Sequence, residues 1–208
     1  MIRNIIFDLG GVILNIDFER SATAFKNLGI DDFDQLYSKA VQNDLFSDLE
    51  MGKISAEDFR NELRKLSNLP LSDEQIDHAW NAIILDFPPE RLALLQNIRL
   101  NYRCFLLSNT NKIHYNVYQA DLRNNHGIDG LESLFEKAYF SHDLGLRKPN
   151  ANIFEYVINR HHLKLEETLF VDDSMQNIEA AEALGLQTLY IDLNKNQEIS
   201  DFFSNEEM

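Results

Sequence analysis

Cationic side chains are scarce in this chain: 19 Lys plus Arg stand against 34 Asp plus Glu in 208 residues, a formal charge of −15. Such a surface repels phosphate backbones at long range and argues against nucleic acid as a partner, although a small anion can still bind where cations gather locally. Cysteine occurs once, at Cys104, which excludes an intramolecular disulfide and suits a reducing cytoplasm. Within Arg103-Cys104-Phe105-Leu106-Leu107 it reads as a small core residue. No run approaches the ~20 apolar residues that a membrane span requires. The short N-terminal run Ile5-Ile6-Phe7 ends in an acid, unlike a signal peptide. Repeats and low-complexity tracts are also missing. The expectation is a soluble, cytoplasmic monomer or homodimer with no membrane partner.

What is present suits one sizeable core: 44% of the residues are hydrophobic. Five short apolar runs read as buried strands: Ile5–Phe7, Cys104–Leu107, Ala138–Phe140, Leu169–Val171 and Leu189–Ile191. They are continuous rather than alternating, as in a parallel sheet covered on both faces. Helical patterns separate the last four, and strand–helix alternation predicts an α/β fold with an open, doubly wound parallel sheet. Residues 16–88 break that rhythm with helices alone. Ser55-x-x-Asp58 and Ser72-x-x-Gln75 resemble capping boxes, and Pro88-Pro89 begins the helix that returns to strand two. The expected organisation is a core of 1–15 and 89–208 with a small all-helical cap, 16–88, inserted after strand one. The acidic tail 197–208 reads as a frayed or peripheral end.

Chemistry is expected where strands end. Asp8, Ser108, Ser141, Asp172-Asp173 and Asp192 each follow an apolar run, the position at which open α/β sheets bind ligands. Asp8 with Asp172-Asp173 offers hard oxygens suited to Mg²⁺, though Asp173-Ser174 could equally cap a helix. Ser108-Asn109-Thr110-Asn111 could hold phosphate oxygens or simply cap the next helix. Arg147-Lys148-Pro149 supplies cations in an otherwise acidic chain. The six histidines form no metal-like pattern; His114, His126 and His142 are isolated, and His161-His162 reads as an exposed helix end.

Asp8-Leu9-Gly10-Gly11-Val12, Leu106-Leu107-Ser108-Asn109, Arg147-Lys148-Pro149 and Val171-Asp172-Asp173-Ser174 with Asn177, in that order, resemble the four motifs of the haloacid dehalogenase-like hydrolases. Within that family the likeness is to bacterial sugar-phosphate phosphatases of the α-D-glucose-1-phosphate phosphatase kind. The resemblance implies a Mg²⁺-dependent phosphatase acting on small phosphate esters, such as glucose 1-phosphate, through an aspartyl-phosphate on Asp8. It implies Lys148 as a catalytic cation, with Ser108, Asn109 and Lys148 binding phosphate. Asp8, Asp172, Asp173 and the backbone carbonyl of Gly10 would hold the metal, and Asn177 would support Lys148 or a metal-bound water. In the cap, Glu50 and Lys53 of Leu49-Glu50-Met51-Gly52-Lys53 could meet sugar hydroxyls, or form an ordinary solvated turn.

Gly10 departs from the family pattern, where a second aspartate serves as general acid. Asp17 is a substitute by proximity, with helix capping as its other reading. Two alternatives follow: a 2-haloacid dehalogenase, which attacks carbon through the same aspartate without a metal, or a non-catalytic phosphate-ligand-binding protein.

Overall fold

The computed structural model describes residues 1–30 and 32–203, without the side chains of 34, 35, 38 and 39. Five strands, β1 (Asn4–Phe7), β2 (Arg103–Ser108), β3 (Lys137–Phe140), β4 (Thr168–Asp172) and β5 (Gln187–Tyr190), form one parallel sheet in the order β3-β2-β1-β4-β5. Residues along β1 and β2 alternate between two apolar layers. Ile5, Phe7 and Leu106 face one cluster, whereas Ile6, Phe105 and Leu107 face the other. Burial on both sides is why these strands read as unbroken apolar runs. Edge strand β5 is the exception: Gln187 is exposed and Thr188, Leu189 and Tyr190 are half-buried, whereas Ala138, Tyr139 and Phe140 of the other edge strand, β3, are buried.

The chain reverses its direction of travel across the sheet between β1 and β4. Register then decides which residues meet. Phe7 pairs with both Leu106 and Val171, so Asp8, Ser108, Asp172 and Asp173 emerge together at the carboxyl edge, beside the switch point.

Between β1 and β2 lie α1 (Phe18–Asn27), α2 (Phe33–Gln42), α3 (Leu45–Glu50), α4 (Ala56–Ser67) and α5 (Asp73–Asn81), followed by α6 (Pro89–Ile98). The first five share an apolar cluster built on Phe25, Phe33, Leu36, Phe59, Leu63 and Ile76. Both predicted capping boxes form, on α4 and α5. Pro89 opens α6. The two ends of this insert run side by side, with Asp17 N–H donating to Ile83 O at 2.8 Å and Leu85 N–H to Asn15 O at 3.0 Å. The insert is thus a helical cap over the carboxyl edge of the sheet.

Downstream come α7 (Lys112–His126), α8 (Ser141–Leu144), α9 (Ala151–His161) and α10 (Met175–Ala183). The described part of the tail is docked rather than frayed: Phe203 packs on Phe7 at 6.2 Å between ring centroids, and Glu198 pairs with buried Arg91 at 3.3 Å. Residues 204–208 lie outside the described residues. No described helix is long and apolar enough to cross a membrane.

Candidate active site

Asp8 extends the β1 ladder by one bond, its N–H donating to Val171 O at 2.8 Å. The chain then folds into a tight turn in which Ile13 and Leu14 N–H both donate to Leu9 O. Gly11 sits in this turn at φ +73°, and a Cβ there would lie 2.3 Å from Asp173 Oδ2. Glycine is therefore required twice, for the left-handed backbone and for the carboxylate that presses on it. Gly10 differs. A Cβ would meet only the Ile16 side chain, at 3.2 Å, so an apolar residue stands where a second acid would have to pass.

Lys148 is buried beneath Asp8. Its Nζ lies 2.8 Å from Asp8 Oδ1 and 2.6 Å from Asp172 Oδ2. Asn109 fixes the loop that delivers it: its Nδ2 donates to Lys148 O, and its Oδ1 accepts from Lys148 N–H, each at 2.9 Å. Both ends of this amide therefore hold the Lys148 backbone, while Nδ2 has a second N–H and Asn109 lines the cavity. Ser141 Oγ bonds the Thr110 backbone, and Asn111 caps α7 by accepting from Ile113 and His114 N–H. Because Asn111 does the capping, Ser108 is left to line the cavity.

At the end of β4 the two acids part. Asp172 is fully buried. Its Oδ1 accepts from Ser174 N–H at 2.8 Å, its Oδ2 from Lys148, and both oxygens from Asn177 Nδ2 at 3.0 and 3.1 Å. Asn177 accordingly orients Asp172, and touches Lys148 only through it. Asp173 instead faces the cavity with Asp8, and Ser174 makes no side-chain cap on α10. Carboxylate oxygens of Asp8, Asp172 and Asp173 lie within 4.8 Å of one another. One buried ammonium cannot balance them. Burial pushes Asp8 up to about 7 against the pull of Lys148, with Asp172 and Asp173 adding to the rise. Burial and the Asp172 charge push Asp173 up to about 6. Lys148 is held above its usual value by the two carboxylates, which outweigh its own desolvation. The uncompensated charge and the open oxygens of Asp8 and Asp173 fit a small divalent cation, with Asp172 committed to the lysine behind them.

Above this floor is a cavity of about 780 Å³ roofed by the cap, with Phe33, Phe46, Trp80 and Ile84 among its lining residues. Glu50 reaches it from the end of α3, paired with Arg147 Nη2 at 2.9 Å, and burial raises its carboxyl. Lys53 does not line the cavity; it is exposed and pairs with Asp48 at 3.2 Å. The reason lies in the turn, where Gly52 sits against the His142 carbonyl and sends the next side chain outward. Asp17 caps α1 through Glu19 N–H at 3.0 Å and does not reach the cavity either.

Two histidines depart from the sequence reading. His161 is half-buried, 2.7 Å from the Tyr139 hydroxyl, because the helix end folds onto the sheet. His114 lines the cavity, which sequence reasoning missed. One signal was available: it falls three residues after the N-cap Asn111, in the first turn of a helix that starts at a sheet's carboxyl edge.

An aspartate, a lysine and an acid pair converging at the carboxyl edge of a capped parallel sheet define a class of hydrolase. Residues 2–185 match the family model of the haloacid dehalogenase-like hydrolases, and the chain belongs to that family. It is similar to the D-ribitol-5-phosphate phosphatase of Bacteroides thetaiotaomicron, 37% identical over 90% of this chain and 91% of the relative. A haloacid dehalogenase family enzyme of the same organism, solved in complex with magnesium and inorganic phosphate, superposes with a TM-score of 0.87 at 35% identity, covering 98% of this chain and all of that one. The L-2-haloacid dehalogenase of Xanthobacter autotrophicus shares the fold alone, at 18% identity and a TM-score of 0.62 over 92% of this chain and 78% of that one.

Proposed function

We propose that this chain is a Mg²⁺-dependent phosphatase of small sugar or alditol phosphates, working through an aspartyl-phosphate on Asp8. The observation that carries the reading is Asp8 itself, one oxygen held by Lys148 at 2.8 Å at the base of a cavity that a small ester can fill. Its second oxygen attacks phosphorus, forming the Asp8–O–P bond as the ester P–O bond breaks. Lys148 stabilises charge on the carboxylate and on the transferring group, and Ser108 binds a non-bridging oxygen. Asn109 fixes the Lys148 backbone and offers its second Nδ2–H to another phosphate oxygen. Water then attacks phosphorus and frees Asp8.

Asp8, Asp173 and the Gly10 carbonyl would hold Mg²⁺, with Asp172 and Asn177 behind them. When bound, the ion neutralises carboxylate and phosphoryl charge and aligns the phosphate. With Gly10 in place of an acid, the departing alkoxide takes its proton from water, which favours better leaving groups such as the anomeric oxygen of glucose 1-phosphate. The relative named for ribitol 5-phosphate makes an alditol phosphate the other substrate to try. Residues 16–88 act as the cap that closes over the ester, with Glu50 at the cap–core junction.

The test is phosphate release across sugar and alditol phosphates with and without Mg²⁺, beside Asp8→Asn. Turnover by the variant at the parental rate would discard Asp8 as nucleophile. Halide release from a 2-haloacid without added metal would restore the dehalogenase alternative. Tight phosphate binding with no turnover of any ester would restore the binding-protein one.

A further inference from the structure

Two polar side chains on the cavity wall have no use in the scheme above. His114 stands in the first turn of α7, its Nδ1 2.9 Å from Asn81 Oδ1 and its ring stacked on Trp80 at 5.1 Å and 15°. An amide oxygen only accepts, so Nδ1 carries the proton and Nε2 keeps a lone pair. Burial pushes the imidazole down to about 3, so the ring is neutral at any ordinary pH. Among the described residues nothing pairs with Nε2, and the residue lines the cavity. Ser21, on α1, lines the same cavity; it is 7% exposed and its Oγ has no hydrogen-bond partner. Buried polar atoms are normally paired, so the unpaired Ser21 Oγ calls for a partner, and Phe33, Phe46 and Ile84, which share the cavity wall, have no side-chain polar atom to supply one.

Resting on the phosphatase reading, we propose that His114 and Ser21 are specificity-determining residues that read neutral hydroxyl groups on the part of the substrate that leaves. His114 Nε2 accepts from one hydroxyl, and Ser21 Oγ donates to or accepts from another. Neither residue carries a charge, so the pair matches a polyol rather than a second anion or an amine. Asn81 and Trp80 belong to the cap side and hold the imidazole of a core helix. The acceptor is therefore aimed only while the cap is seated.

The experiment compares kcat/KM for an alditol phosphate with that for an unbranched alkyl phosphate of equal carbon count, in the parent, His114→Leu, His114→Gln and Ser21→Ala. The parent prefers the hydroxylated ester. His114→Leu cuts that preference roughly tenfold, about the value of one neutral hydrogen bond, through KM more than kcat. His114→Gln restores much of it, since its amide oxygen reaches toward the Nε2 position. Ser21→Ala lowers the preference without lowering the melting temperature, because the hydroxyl it removes bonds nothing in the free protein. A parent that does not distinguish the two esters overturns the proposal, and that comparison needs no variant to fold. An unchanged ratio in both Ser21→Ala and a folded His114 variant overturns it too. Failure of the parent to release phosphate from any ester overturns the phosphatase reading and this inference together, whereas release without preference overturns this inference alone.

Discussion

Asp8 and Lys148 are bound by opposed needs. The lysine is 1% exposed and shared between two carboxylates, so its removal leaves buried negative charge with no cation beside it. Lys148→Ala should cost about 3–5 kcal/mol of stability, the usual loss when one partner of a buried pair is deleted, and should abolish phosphate release. Chemical denaturation and an activity assay check both. Asp8→Asn should behave oppositely in stability. Because Asp8 is raised to about 7, its ionised form weakens the metal-free fold at pH 8, and a neutral amide relieves that repulsion. The metal-free variant should melt higher than its parent at pH 8, by roughly 2–4 °C for each ~1 kcal/mol relieved, while losing turnover. At Gly10 the obstacle to a general acid is Ile16, 3.2 Å from the missing Cβ. Gly10→Asp should raise turnover of alkyl phosphates relative to p-nitrophenyl phosphate, whose good leaving group needs no acid. Adding Ile16→Val should enlarge the gain.

Elements were the most legible part of the sequence. Strands β1, β2 and β4 are buried on both faces, so their apolar runs could be read directly, and the polar residue after each marked the carboxyl edge. Capping boxes at Ser55 and Ser72 announced α4 and α5 because side-chain spacing alone makes that bond. Spacing says nothing about which way a turn faces. Lys53 pointing outward depends on Gly52 meeting His142 across 90 positions of chain, and the use of Asn109 on the Lys148 backbone is equally non-local. The division of labour between Asp172 and Asp173 was hidden for the same reason: adjacent residues on a strand face opposite ways, and only the fold says which way is buried. Gly52→Ala should make that turn visible. At φ +63° with a Cβ placed 2.3 Å from a carbonyl oxygen, it must lift the turn from α8. Lower thermal stability and a higher KM, with kcat less affected, are expected in steady-state kinetics.

For the whole molecule, the acid cluster couples pH, metal and stability. The folded state keeps protons on Asp8 and Asp173 at pH values where the unfolded chain has released them, from about 4 up to about 7. The unfolded state therefore binds fewer protons, and the cluster makes the metal-free protein less stable as pH rises through that window. Mg²⁺ competes with those protons and stabilises by mass action where the carboxylates are ionised. Scanning calorimetry should show a larger Mg²⁺-induced rise in melting temperature at pH 8 than at pH 5.5. A rise of equal size at both values would place the metal elsewhere.

The central claim is that Asp8 accepts the phosphoryl group. Its most direct test is acid quenching of the protein during turnover of a ³²P-labelled sugar phosphate with Mg²⁺, followed by peptide mapping. The account predicts label on the peptide that carries Asp8, and none in Asp8→Asn or without the metal. Steady phosphate release during turnover with no label on the protein after quenching, and Asp8→Asn equally active, would contradict it.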